Sequence, residues 1–145
     1  GNEPMLHEKH IRVFQNLSNP VNVLTTHSAW LMSSLVMGAS GLLSGAGSVI
    51  APLQVRLFNA IKNNNLKEAK DINDKIFPLV QLFYKPPFLD MHNRMKETLV
   101  ILNAMKKAVV RPPLMKLPFE EIEELKNTVN DINLDNKLNF VKLVV

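Results

Sequence analysis

The chain has 145 residues, 46% of them hydrophobic and 21% charged, a composition that supports a folded domain with an apolar core and excludes disorder along the bulk of the chain. Its formal charge of +4 is scattered among acidic residues, without a basic arm or an aromatic-studded patch, so no nucleic-acid partner is expected. Zero cysteines exclude disulfides and thiolate metal sites.

Gly1 to Asn16 is polar and charged where a secretory signal needs an apolar run, so a cytoplasmic location is expected. Met5 to Leu17 is predicted as a helix, closed by the Ser18-Asn19-Pro20 breaker. His7 and His10 stand at i, i+3 on it, a spacing that suits a metal ion but marks a solvated helix face far more often. No metal site is assigned to these two or to His27 and His92.

Val21 to Thr26 is a β-branched run with the character of a buried parallel strand. Ser28 to Met37 then predicts a helix, with Ser28 as N-cap and Gly38 at C′. Gly41-Leu42-Leu43-Ser44-Gly45 is a second short apolar strand. Strand, helix and strand at this spacing make a βαβ unit, which requires a parallel sheet and a right-handed crossover.

From His27 to Arg56 the chain carries no formal charge when His27 is neutral, so a membrane span has to be weighed. Gly38, Gly41, Gly45, Gly47 and Pro52, with serines between them, break that run. A buried strand and helix explain the same apolarity, and no membrane partner is expected.

The remainder is predicted helical: Val49 to Asn63, Leu66 to Tyr84, Phe88 to Met105 and Pro118 to Ile132, separated by Asn63-Asn64-Asn65, Lys85-Pro86-Pro87 and Arg111-Pro112-Pro113. Ile72, Ile76, Leu79, Val80 and Phe83 form one apolar stripe, and Met91, Met95, Leu99, Leu102 and Met105 form another. Both are expected to be packing surface. Beyond Asn130, Asp131 to Val145 ends in apolar Leu138, Phe140, Val141, Leu143, Val144 and Val145. The elements describe an α/β chain, predominantly helical, with segments 1–62, 63–132 and a tail at 133–145.

In order along the chain, several stretches resemble the dihydrodipicolinate synthase/N-acetylneuraminate lyase family. Pro20-Val21-Asn22-Val23-Leu24 resembles the seventh strand of its barrel, and Leu35 to Gly41 resembles the "LxLGADG" segment leading into the eighth. Ser48-Val49-Ile50-Ala51-Pro52 stands where the family has "NVxAP". Asn64 to Asn73 is similar to "GDxxxAxxLN", and Val110 to Leu117 is similar to "RxPLxPL". Any one of these is weak; five in the correct order are specific. A whole (β/α)8 barrel takes about 250 residues, so the resemblance implies a C-terminal portion: the last two barrel strands and a C-terminal helical extension.

The resemblance implies a lyase or aldolase that forms a Schiff base with pyruvate or another 2-keto acid, without a cofactor. The family's sixth-strand lysine, fifth-strand tyrosine and "GTTGE" motif have no counterpart here, so no catalytic residue is assigned and the chain alone is expected to be inactive. The residues left to line a substrate pocket are Thr26, His27 and Ser28 after one strand and Leu43, Ser44 and Gly45 after the next. Thr26 replaces a family glycine and Ser28 a family acid, which puts the usual substrates in doubt. Ser44 also reads as a strand-end serine satisfied locally. His27, of the residue type that titrates near neutral pH, is either a polar group or general acid at the pocket mouth or a structural hydrogen-bonding group. Expected partners are a second copy of the chain or the missing N-terminal half. The alternative function is a non-enzymatic helical interaction module that uses an exposed strand edge.

Overall fold

Proline lacks an N–H that a first helical turn does not need, and Pro4 opens the first helix, α1 (Pro4–Phe14). The computed structural model describes residues 3–134. These residues form two compact units, the first ending at Val80 and the second beginning at Gln81. The predicted segment Asp131 to Val145 lies mostly outside the described residues.

In the first unit, β1 (Leu24–Thr25) pairs in parallel with β2 (Gly41–Leu42), Leu24 opposite Gly41 and Thr25 opposite Leu42. Ser40 N–H donates to the Val23 carbonyl at 2.9 Å, and Leu43 N–H donates to the Thr25 carbonyl at 2.8 Å. The pairing is parallel, as predicted, but much shorter than the runs Val21 to Thr26 and Gly41 to Gly45. A strand exists only where another backbone pairs with it, and among the described residues each has one neighbour.

The connection between them is a 3-10 turn (Ser28–Trp30) followed by α2 (Leu31–Val36). The N-cap position of this turn falls on His27, one residue before the predicted Ser28, whose hydroxyl bonds Ser44. Gly38 does occupy C′, at φ 103°. Gly38 N–H donates to the Leu35 carbonyl and Ala39 N–H to the Ser34 carbonyl, both at 3.0 Å, the paired bonds of a Schellman ending.

Helix α3 (Gly47–Lys62) has a break at Ile50 (φ −121°, ψ 25°). Pro52 therefore falls in the first turn after the break, where its missing N–H is harmless. The next three asparagines each do a different job. Asn63 is the C-cap of α3, and Asn64 takes the left-handed conformation at φ 57°. Asn65 Oδ1 accepts from Glu68 N–H at 3.2 Å, and Asn65 Nδ2 donates to Glu68 Oε2 at 3.0 Å, closing the start of α4 (Leu66–Tyr84). The predicted stripe Ile72, Ile76, Leu79, Val80, Phe83 is buried throughout.

In the second unit, a 3-10 turn (Phe88–Asp90) leads into α5 (Met91–Ile101), and α6 (Phe119–Asp131) packs on α5. The predicted helix Phe88 to Met105 is shorter because Asn103, at φ 56°, ends it. The expected methionine stripe is only partly correct: Met95 and Leu102 are buried, but so are Asn93, Arg94, Glu97 and Thr98.

Arg94 is 0% exposed. Its Nε donates to Glu121 Oε1 at 2.5 Å, and its terminal nitrogens donate to the Phe83, Lys85, Pro86 and Pro87 carbonyls. Those carbonyls belong to a helix end and a Pro-Pro turn, where intrahelical donors run out and proline supplies none. A guanidinium, with five donors, can serve them together.

Candidate functional site

Parallel pairing places the carboxyl ends of β1 and β2 at one end of the pair, so Thr26-His27-Ser28 and Leu43-Ser44-Gly45 emerge side by side. Ser28 Oγ lies 2.5 Å from Ser44 Oγ, sixteen residues away in sequence. Ser28 Oγ also accepts a long bond from Ala46 N–H at 3.4 Å. Ser44 Oγ accepts from Gln54 Nε2 at 2.8 Å.

The six predicted residues divide by exposure. Ser28 is buried, His27 and Ser44 are half-buried, and Thr26, Leu43 and Gly45 are exposed. Buried polar groups need partners, and the Ser28–Ser44 bond gives each hydroxyl one while joining the two loops. The backbone between them is tied as well by the Leu43-to-Thr25 bond.

Gln54 was not anticipated. It is 3% exposed on the second turn after the α3 break, on the face that carries Ile50, Leu53 and Leu57. A lone amide in an apolar i, i+3, i+4, i+7 stripe is the signal that could have found it. A Cβ on Gly47 would stand 3.2 Å from Gln54 Oε1, so the glycine leaves the amide room to reach Ser44.

A second polar clasp lies where the strands begin. Gln15, just after α1, donates from Nε2 to the Gly38 carbonyl at 2.9 Å and accepts at Oε1 from Val23 N–H at 3.2 Å and from the Ser40 hydroxyl. One amide therefore bridges α1, the entry to β1 and the loop before β2. On α1, His7 Nε2 lies 2.5 Å from Ser34 Oγ of α2. Burial, the largest cause, holds the His7 imidazole below its ordinary pKa.

Among the described residues no lysine is buried, and no cluster of three or more His, Asp or Glu side chains could hold a metal ion. No described helix is long and apolar enough to cross a membrane.

A parallel two-strand pair whose carboxyl ends close in a serine–serine–glutamine cluster, followed by a run of helices, defines an α/β chain of mainly helical content. The sequence model of the Dihydrodipicolinate synthetase family matches residues 5–132, and the chain belongs to that family. The 4-hydroxy-tetrahydrodipicolinate synthase of Oceanobacillus iheyensis is 21% identical over 125 residues, covering 86% of this chain and 41% of the relative.

Solved structures agree in fold. The Oceanobacillus iheyensis dihydrodipicolinate synthase superposes with a TM-score of 0.79 at 21% identity, covering 92% of this chain and 44% of that one. The E. coli K12 prophage protein YagE, solved with pyruvate, gives 0.81 at 19% identity and covers 92% and 44%. The N-acetylneuraminate lyase of Fusobacterium nucleatum gives 0.74 at 18% identity, with 91% and 43% covered. The chain thus spans about two fifths of the length of the relatives it matches.

Proposed function

We propose that this chain is the C-terminal part of a Schiff-base-forming lyase or aldolase acting on pyruvate or another 2-keto acid in the cytoplasm. It supplies the last two strands of a TIM barrel and a helical extension, and it is inactive alone. The observation that carries this reading is the Ser28–Ser44–Gln54 cluster at the carboxyl ends of two parallel strands, the end at which barrel enzymes place their active-site loops. Membership of the family and the pyruvate held by one of its structural neighbours support the substrate class.

In this reading Ser44 and Gly45 present hydroxyl and backbone groups to the keto acid. Thr26, His27, Ser28 and Leu43 complete that side of the pocket. Gln54 holds the Ser44 oxygen in place and leaves the substrate to others. The imine must form on a lysine outside this chain. A nucleophilic lysine needs desolvation or a neighbouring cation to be neutral at working pH, and the described lysines lie on exposed or half-exposed surface.

The test is borohydride trapping of the chain with pyruvate, read by intact-protein mass spectrometry. The expected result is no adduct. A stoichiometric mass increase on one lysine of this chain would overturn the reading. The upstream reading frame is a second check: a strand ending in lysine ahead of Gly1 supports it, and its absence favours an interaction module.

A further inference from the structure

In the second unit, the segment 105–117 arches beside α5 and is pinned to it at two places. Lys96 Nζ donates to the Val109 carbonyl at 2.6 Å, and Asn93 Nδ2 donates to the Met115 carbonyl at 2.7 Å. Between these ties lies a cavity of about 390 Å3, lined by Glu97, Val100, Lys106, Lys107, Leu114 and Lys116 among others. That volume suits a small molecule. None of its lining residues belongs to the strand-end cluster.

Glu97 is the anomaly. It is 8% exposed, one helical turn beyond Asn93 on the same face, and it lines the cavity. Among the described residues its carboxylate makes no hydrogen bond or ion pair. The residue is nine-tenths buried while its carboxylate oxygens still reach solvent, and the three lysines lining the same cavity are likewise without an ion pair among the described residues. A ligand cation alone would meet three ammonium groups, and an anion alone would meet the Glu97 carboxylate. Only a molecule carrying both charges is matched at each end.

We propose that the cavity between α5 and the 105–117 segment binds a small zwitterionic aminocarboxylate, its ammonium on Glu97 and its carboxylate met by Lys106, Lys107 and Lys116. The Glu97 carboxylate sets which end enters first. The exposed lysines close over the other end and account for less of the affinity, because their ammonium groups remain hydrated.

The experiment is calorimetric titration of the whole chain with glycine, β-alanine and γ-aminobutyrate, which separate the two charges by increasing lengths. Acetate and methylammonium serve as single-charge controls. One of the three aminocarboxylates is expected to bind at a single saturable site, with both controls weaker. Glu97→Gln, nearly isosteric, should weaken that binding by about tenfold or more, the scale of one charge-assisted contact. The exposed double change Lys106→Ser with Lys107→Ser, which leaves the fold intact, should weaken it several-fold. Failure of all three probes to bind, binding of acetate equal to theirs, or an affinity unchanged in the double variant would each overturn the proposal.

Discussion

At the residue scale the strongest single commitment is Arg94. Its burial is tolerated because Glu121 and four backbone carbonyls surround it, and removing it leaves Glu121 only the longer ion pair to Lys85 at 3.8 Å and takes a donor from each carbonyl. Arg94→Leu is expected to lower stability by about 3 kcal/mol or more, read by urea unfolding; a loss below about 1 kcal/mol would mean that water replaces the guanidinium. Ser44→Ala leaves Gln54, buried on α3, without its acceptor, and should cost about 1–3 kcal/mol. The paired change with Gln54→Leu should recover much of that loss, because no amide is then left unpaired.

His7 makes a prediction in pH. Its pKa is lowered in the folded chain, so between the folded and unfolded values the unfolded state binds more protons. The contribution of neutral His7 is therefore intact above its ordinary value of 6.5 and is lost as pH falls through the lower folded value. Titrating thermal stability against His7→Gln should show the wild-type advantage shrinking below about pH 6.5. A difference between the two proteins that is constant with pH would contradict it.

At the scale of elements, four helices end the same way. Gly38, Asn64, Asn103 and Asn133 all sit at positive φ, each just past a helix whose last carbonyls are capped by the next two N–H groups. Glycine holds this conformation without a Cβ clash and asparagine with a small one. Asn103→Gly should therefore raise stability by about 0.5–1 kcal/mol, and Asn103→Val should lower it by at least as much, in the same urea titration.

The sequence showed Gly38 as a terminator and the Asn63-Asn64-Asn65 break. It missed Asn103, because the apolar spacing of Leu102 and Met105 continues past the point where the backbone turns. The α5 face was misread for a related reason. Met91, Met95, Leu99, Leu102 and Met105 keep perfect helical spacing, yet four of the five residues that α5 buries are polar or charged, and Arg94 and Asn93 among them are satisfied by carbonyls from distant segments. Hydrophobic periodicity reports the side chain's own preference and is blind to partners that arrive from elsewhere.

At the scale of the molecule, the first unit carries exposed apolar groups where its sheet stops. Leu24 is 44% and Leu43 70% exposed, and Met5, Leu6 and Val13 of α1 are exposed as well. Unpaired strand edges and bare apolar faces favour association, and burying such surface is worth about 25 cal/mol per Å2. If the proposed function holds, the expected outcome is self-association or capture of a chain that supplies further strands, measured by light scattering. A clean monomer at tens of micromolar would favour an autonomous interaction module instead.

The sequence by itself determined the order of the elements, the parallel pair, the Ile72-to-Phe83 stripe and the residues that leave the two strands, from Thr26 to Ser28 and from Leu43 to Gly45. All of these follow from local periodicity, breakers and a five-segment family resemblance, which are properties of neighbours in the chain. Only the tertiary structure decided that Ser28 bonds Ser44 instead of capping a helix, that Gln54 supports them, that Arg94 is buried and that Glu97 faces a cavity. The Ser28–Ser44, Gln54–Ser44 and Arg94–Glu121 bonds join groups between ten and twenty-seven residues apart, and the free energy of a buried polar group is set by what folding brings beside it.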